Sequence, residues 1–237
     1  MNDRDTKSKK IWESVYSDRA MTLWQPPEGV VQFAARFLKK RLNLNSYKEF
    51  FPIKRLLDIG CGNGATAIFF AKQDYEVFGV DLSGAATEIA RKWSEAEHLN
   101  IDFRQADAAK LPFKANFFDC VVSYGVLDHL EPETGRHALD EAGRVLRTGG
   151  LFFLTLADIK NSKYGRGKKV AHNTYCLDDG YEAGAVQHYF DESEIKEWLR
   201  DKFVILDIRR MAQQKLNLEF QPLECSWRWY LTLKKIE

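Results

Sequence analysis

The chain has 237 residues, enough for one mid-sized domain with additions and a large buried core. Hydrophobic residues make up 45% and charged residues 29%, the composition of an ordinary globular protein rather than a disordered or fibrous one. With 35 basic and 34 acidic residues the formal net charge is +1, which excludes a global attraction to nucleic acid or anionic lipid and leaves room only for a local patch.

No apolar run approaches the roughly 20 residues a membrane helix needs, so no membrane partner is expected. The polar start, Met1 to Lys10, has no apolar signal core after it, which predicts a cytoplasmic location. Cys61, Cys120, Cys176 and Cys225 form no Cys-x-x-Cys pair. Reduced thiols are therefore expected, with no disulfide framework and no metal site.

Residues 1–10 are predicted to be disordered. A short aromatic stretch follows, with Trp12, Tyr16 and Trp24, and Pro26-Pro27 marks a boundary. Val30, Phe33, Ala34, Phe37 and Leu38 recur at helical spacing, which predicts a helix over Glu28–Arg41 packed on the main domain. Residues 43–53 read as a linker. The division is thus an extension with a covering helix over residues 1–50 and a main domain over 51–237.

Short apolar runs then alternate with helical patterns. Arg55–Ile59, Glu76–Val80, Ile101–Gln105, Phe118–Ser123 and Leu151–Leu156 are of strand length. Ala65–Lys72, a stretch capped by Ser83 and running to Trp93, and Pro132–Arg147 read as helices. This alternation predicts an α/β fold with a parallel sheet. Residues 157–190 have no clear period and are too many for an ordinary connection, which predicts a lid-like insertion. Asp191 opens another helix, with Glu194 completing a capping box and Phe190 stapling to Ile195. Val204–Arg210 and Trp227–Leu233 are the last strands.

The chemistry concentrates where the first strand meets the first helix, at Asp58-Ile-Gly60-Cys61-Gly62-Asn-Gly64. Gly60 and Gly62 let backbone bend tightly and approach a ligand. The helix behind them offers free N–H groups. Asp81 ends the second strand, where an acid can accept hydrogen bonds from both hydroxyls of a ribose. Together these residues predict an adenosine site. Gly60-x-Gly62-x-x-Ala65 also satisfies the looser fingerprint for NAD. Asp58, however, would meet a pyrophosphate with negative charge, and would instead favour a cationic sulfonium ligand with a free amino group.

The segments from Leu56 to Thr155 resemble class I methyltransferases, in particular the small-molecule enzymes with an Asp-x-Gly-x-Gly signature. Leu57-Asp58-Ile-Gly60-Cys61-Gly62 is similar to their first motif, and Val80-Asp81-Leu82-Ser83 to their ribose-binding strand end. Asp107-Ala108 with Leu111-Pro112-Phe113 is similar to the adenine-binding segment. Phe118 to Ser123, Val126 to Leu130, and Arg144 to Gly150 match the fourth strand, its loop and the turn before the fifth. Thr148 stands where the family usually has Pro.

The resemblance implies a Rossmann-like, mostly parallel sheet of seven strands in the order 3-2-1-4-5-7-6, the last antiparallel, with helices on both faces. It implies S-adenosylmethionine as cofactor and S-adenosylhomocysteine as product. The cofactor residues it implies are Asp58, Gly60, Cys61, Gly62, Asp81, Leu82, Asp107, Ala108, Ser123 and Tyr124. Asp58 would reach the ligand's amino end or fix the loop. Ser123 and Tyr124 would lead toward the methionine part. His129 is the candidate catalytic base, although the family often carries His there without that role. Trp12, Tyr16 and Trp24 either cover the cofactor or anchor the first helix. The Lys163, Arg166, Lys168 and Lys169 cluster is either a contact for an acidic substrate or a solvated loop. A small-molecule acceptor is expected, and nucleic acid is disfavoured by the balanced charge. An RNA or protein acceptor, or a silent S-adenosylmethionine-binding protein, is the alternative.

Overall fold

The apolar runs of the chain become strands buried on both faces, and the residues on each run divide between two cores. In the computed structural model, which describes residues 3–18, 25–180, 182–219 and 221–236, helix α1 spans Asp3–Asp18. Helix α2 spans Glu28–Phe33, and a wider turn, Ala34–Leu38, extends it. Strands β1 (Lys39–Asn43) and β2 (Ser46–Glu49) form an antiparallel hairpin. Then come β3 (Arg55–Ile59), α3 (Ala65–Ala71), β4 (Glu76–Asp81), α4 (Gly84–Ala96), β5 (Asp102–Gln105) and β6 (Phe118–Ser123). A single 3-10 turn, Leu127–His129, precedes α5 (Pro132–Val145) and β7 (Leu146–Ala157). Three short strands follow, β8 (Lys168–Ala171), β9 (Thr174–Cys176) and β10 (Val186–His188), then α6 (Glu192–Leu199), β11 (Phe203–Leu216) and β12 (Pro222–Lys235).

The central sheet runs β11-β12-β7-β6-β3-β4-β5. Counted along the chain this is the expected order 3-2-1-4-5-7-6. Strand β12 is antiparallel to both of its neighbours, and the pairs among β3 to β7 are parallel. Leu57, Val121 and Phe152 face α5 and α6, with Ala138, Leu139, Trp198 and Leu199. Their neighbours Leu56, Val122 and Phe153 face the other side, with Phe33, Ala67, Phe70 and Ala90. Such double burial explains why these strands read as continuous apolar runs rather than alternating ones. Trp229, Leu231 and Leu233 of β12 add to the first core, as their spacing of two predicts.

Several boundaries differ from expectation. Asp3 to Lys10 are helical rather than disordered, because α1 is docked on the body of the domain through tertiary contacts that its polar composition does not announce. The helix expected over Glu28–Arg41 stops at Leu38. Beyond it the chain turns into the β1–β2 hairpin, in place of the expected linker. The 157–190 insertion holds a three-stranded antiparallel sheet, β10-β9-β8. Asp191 caps α6 through the Glu194 N–H at 2.9 Å. The Glu194 carboxylate does not return to Asp191 but meets His188 Nε2 at 3.0 Å, which ties α6 to β10.

Candidate active site

The chain leaves β3 at Ile59 and turns at once through Gly60-Cys61-Gly62-Asn63-Gly64 into α3. Backbone bonds hold this turn. The Gly60 and Cys61 N–H groups donate to the Val80 carbonyl at 2.7 and 3.0 Å, and Gly64 N–H to Cys61 O at 2.9 Å. Gly60 and Gly62 sit at φ 67° and 52°, in the left-handed region. A Cβ on Gly60 would lie 2.2 Å from Val126 Cγ2, and one on Gly62 would lie 2.4 Å from the Tyr16 hydroxyl. The loop is thus pinched between the segment after β6 on one side and α1 on the other.

Two acids lie under and beside it. Asp81 accepts hydrogen bonds from Gly62 N–H through Oδ2 and from Ser83 N–H through Oδ1, both at 2.9 Å. Burial outweighs these bonds and pushes its carboxyl up to about 6. Each oxygen keeps a further acceptor site. Asp58 lies deeper, bonded to the Ala67 N–H in the first turn of α3. Burial, then the nearby Asp81 charge, holds its carboxyl well above the usual range. Its Oδ2 has no hydrogen-bond partner among the described residues. A pair of carboxylates raised this way makes a floor that a cation would relieve. The same surroundings push the Cys61 thiol up, which makes it a poor nucleophile.

Above this floor is a cleft with about 620 Å³ of empty space, part of it open to solvent. Gly60, Asp81 and Leu82 form one wall, and Ala106, Asp107 and Ala108 the next. Asp107 is fixed by its own turn, its Oδ1 accepting from Ala109 N–H at 2.8 Å. Gly125, Val126, His129 and Leu130 close the far side, and Ser8, Trp12 and Tyr16 cover the top. The three covering residues are four apart, so they form one stripe along α1. Glu13, next to that stripe, accepts from the Gly84 and Ala85 N–H groups at 2.9 and 3.1 Å. Those are free donors in the first turn of α4, where a negative charge is favoured.

His129 stands where the cover meets the insertion. Its Nδ1 is 3.3 Å from the Val186 carbonyl of β10, and its Nε2 is 3.9 Å from the Glu182 carboxylate. The edge of the Trp12 ring packs against it at 5.0 Å between centroids. Asp128, fully buried beside it, pairs with Arg228 of β12. Gln187 donates to the Asp128 carbonyl at 3.0 Å and to its carboxylate at 3.3 Å.

Of the residues singled out from sequence, Gly60, Asp81, Leu82, Asp107, Ala108 and His129 line the cleft. Asp58, Cys61 and Gly62 support it from behind. Ser123 is fully buried, its Oγ without a hydrogen-bond partner among the described residues. Tyr124 turns to the other face, with its hydroxyl 3.4 Å from that of Tyr230. Gly125 and Val126 form that part of the wall instead. Trp12 and Tyr16 cover the site, whereas Trp24 lies outside the described residues. Sequence reading missed Ser8 and Glu13, although the Ser8-Trp12-Tyr16 spacing was a usable signal. Lys168 and Lys169 lie exposed on β8, the outer strand of the insertion.

Comparison with known proteins agrees with this geometry. A family described as a methyltransferase domain matches residues 56–150. A tRNA N(3)-methylcytidine methyltransferase of Drosophila melanogaster is 28% identical over 212 residues, covering 81% of this chain and 60% of that protein. A ubiquinone biosynthesis O-methyltransferase of Coxiella burnetii is 30% identical over 141 residues, covering 60% of this chain and 59% of that protein. The chain therefore spans about 60% of the length of these curated relatives. A Burkholderia thailandensis 1,6-didemethyltoxoflavin-N1-methyltransferase, solved with S-adenosylhomocysteine, has a TM-score of 0.63 at 20% identity, over 99% of this chain and 89% of that one. A Methanosarcina mazei S-adenosylmethionine-dependent methyltransferase gives 0.63 at 19% identity, over 90% of this chain and 99% of that one. With the strand order, the glycine turn and the matched segment in agreement, residues 56–150 carry a methyltransferase domain, and the chain has the fold of the class I S-adenosylmethionine-dependent methyltransferases.

Proposed function

We propose that this protein transfers the methyl group of S-adenosylmethionine to a small-molecule acceptor. The observation that carries the reading is the cleft between the Gly60 turn and His129, floored by two raised carboxylates and covered by α1. Bound S-adenosylmethionine supplies a sulfonium methyl group that an acceptor lone pair attacks in line; the carbon–sulfur bond breaks and S-adenosylhomocysteine leaves. Asp81 would hold the ribose hydroxyls through the free acceptor sites of its carboxylate. The Ala106–Ala108 wall would take the adenine. Asp58 and Asp81 would answer the positive charge of the donor. Trp12 and Tyr16 would exclude water, and alignment of this kind lowers a barrier by roughly 7–11 kcal/mol.

We assign His129 to the proton of the acceptor. If Nδ1–H donates to Val186, Nε2 is the basic nitrogen, and the Glu182 carboxylate is placed to favour the imidazolium formed there. Titration calorimetry with S-adenosylmethionine, followed by transfer of a labelled methyl group into a fractionated metabolite extract, tests the reading. Micromolar binding with label in a small-molecule fraction is expected. Absence of donor binding would overturn it. Replacing His129 with Ala should lower kcat by roughly 10²–10⁴-fold at unchanged donor affinity. An unchanged kcat would remove His129 from the chemistry.

An RNA acceptor is the second reading, favoured by the similarity to the tRNA enzyme over 81% of this chain. The same assay with transfer RNA separates the two, since label then follows the RNA fraction.

A further inference from the structure

The β1–β2 hairpin has no part in the cleft. It leaves the domain at the opposite end of the sheet, where Phe50 N–H donates to Leu38 O at 2.9 Å and Arg147 reaches Pro52 O from the start of β7. Its register pairs Lys39 with Glu49, Lys40 with Lys48 and Arg41 with Tyr47. Four cations thus face one acid across a small ribbon. Among the described residues none of Lys39, Lys40, Arg41 and Lys48 forms an ion pair. No residue of either strand is buried. At the turn Leu42 is 60% and Leu44 81% exposed, which are the values of side chains presented to solvent without a core to explain them.

From this apolar tip in a cationic collar we infer that the hairpin is a docking element for an anionic lipid surface. Leu42 and Leu44 enter the boundary between headgroups and acyl chains, and the four cations sit at headgroup level. The exposed leucines favour a lipid surface over nucleic acid as the partner. Binding to single strands relies on open ring faces for base stacking. Here Lys39 Nζ lies 4.7 Å and the Arg41 guanidinium 5.6 Å from the Tyr47 ring centre, and Lys48 Nζ 5.3 Å from that of Phe50. A cation thus lies near each ring, and the two exposed leucines have nothing to read on a phosphate backbone. The near-zero net charge of the whole chain conceals this patch, and the expectation of no membrane partner rested on the lack of a membrane-length apolar run, which a surface hairpin does not need.

Sedimentation of the full chain with vesicles tests the inference. Binding to phosphatidylcholine containing about a quarter phosphatidylglycerol should exceed binding to phosphatidylcholine alone at least tenfold, since each cation is worth roughly fivefold near an anionic surface. Raising salt from about 0.1 to 0.5 M should remove most of that gain. The pair Lys39→Glu and Lys40→Glu should lower binding to anionic vesicles more than tenfold. Leu42→Ser with Leu44→Ser should lower it about fivefold and abolish the part that survives salt. Lys48→Glu on the partner strand gives an independent reading should either pair fail to fold. Thermal melting and S-adenosylmethionine affinity should stay unchanged in variants that fold. Equal binding to both vesicle types, or anionic binding indifferent to all three changes, overturns the inference. So does hairpin-dependent binding of transfer RNA without binding of vesicles.

Discussion

The floor and the cover of the cleft are built by different means. The floor, within residues 56–150, rests on close-range bonds between neighbouring strands and turns: Gly60 and Cys61 to Val80, and Gly62 and Ser83 to Asp81. Its residues are buried, and the glycine turn has no room to relax. The cover comes from outside that stretch. It is held by isolated polar contacts across long separations in sequence: Glu13 to Gly84 and Ala85, His129 to Val186, Gln187 to Asp128. Elements with few buried apolar contacts open at lower free energy than core strands. A fixed floor with a weakly latched cover suits an enzyme that must admit two substrates and release two products.

The joint between the two regions is the sharpest place to break the contrast. Asp128 belongs to the floor side, but its carboxylate meets Arg228 of β12 and Gln187 of the insertion. Asp128→Ala leaves a largely buried guanidinium without its counter-ion, which costs about 3–5 kcal/mol. A fall in Tm of roughly 10 °C is expected for a chain of this size, read by thermal denaturation. A change under about 2 °C would mean that the pair holds nothing together.

Gly60→Ala attacks the floor alone. The new Cβ needs a left-handed backbone and meets Val126 at 2.2 Å, so the turn has to shift away from the ligand. Affinity for S-adenosylmethionine should fall about 100-fold or more by calorimetry, a loss near 3 kcal/mol. The cover contacts should persist, which hydrogen exchange at Gly84 and Ala85 would report.

How far each region could be read from sequence follows the same division. The strands and the glycine turn were legible because their signals are local: apolar runs of strand length, glycines at fixed spacing, an acid at the end of β4. The fold order followed once those segments matched a family. Strands β8 to β10 were not legible, since three- and four-residue strands with exposed lysines carry no periodic signal. Helix α1 was missed over Asp3–Lys10 because its composition is polar and its support is tertiary, a carboxylate reaching a helix terminus some seventy residues away. The β1–β2 hairpin was misread because Lys39 to Arg41 continue the helical pattern of α2, and no local residue announces the switch at Leu38. At Tyr124 the sequence left a ligand contact and a packing aromatic open; leaving a strand by one residue reverses the face, and Gly125 rather than Tyr124 meets the cleft.

Asp81 sharpens the electrostatics of the floor. Its carboxyl is raised to about 6, so the folded protein keeps it protonated to a higher pH than the unfolded chain does. The stability this contributes is fully present below the ordinary carboxylate range and is lost as pH rises through about 6. The protein should therefore be less stable at pH 8 than at pH 5 by about 1.4 kcal/mol from this group, the rest of the loss falling between about pH 4 and 5. Ribose hydroxyls and a cationic donor favour the ionised form, so donor affinity should rise with pH through about 6 and level off above it. Binding near that pH should release protons, seen as a dependence of calorimetric heat on buffer. Asp81→Asn should weaken donor binding roughly 10- to 100-fold and shrink the pH step. A residual step from Asp58, raised in the same direction, should remain. Donor affinity independent of pH in the wild type would show that neither acid faces the ligand.

Glu13 is the smallest effect and the most direct probe of the latch. Its two bonds to Gly84 and Ala85 link α1 to α4, and the charge at that helix terminus is worth typically 0.3–1 kcal/mol. Glu13→Gln keeps an acceptor and removes the charge, and Glu13→Ala removes both. Neither residue change touches the floor, so Tm should move little. Donor affinity should fall about threefold for Gln and up to tenfold for Ala, with the loss in the dissociation rate, because the cover opens more often while the site beneath is unaltered. Stopped-flow release of S-adenosylhomocysteine reads this. A slower association rate with unchanged release would place Glu13 in forming the floor rather than closing over it, and the contrast between the two regions would then fail at its weakest contact.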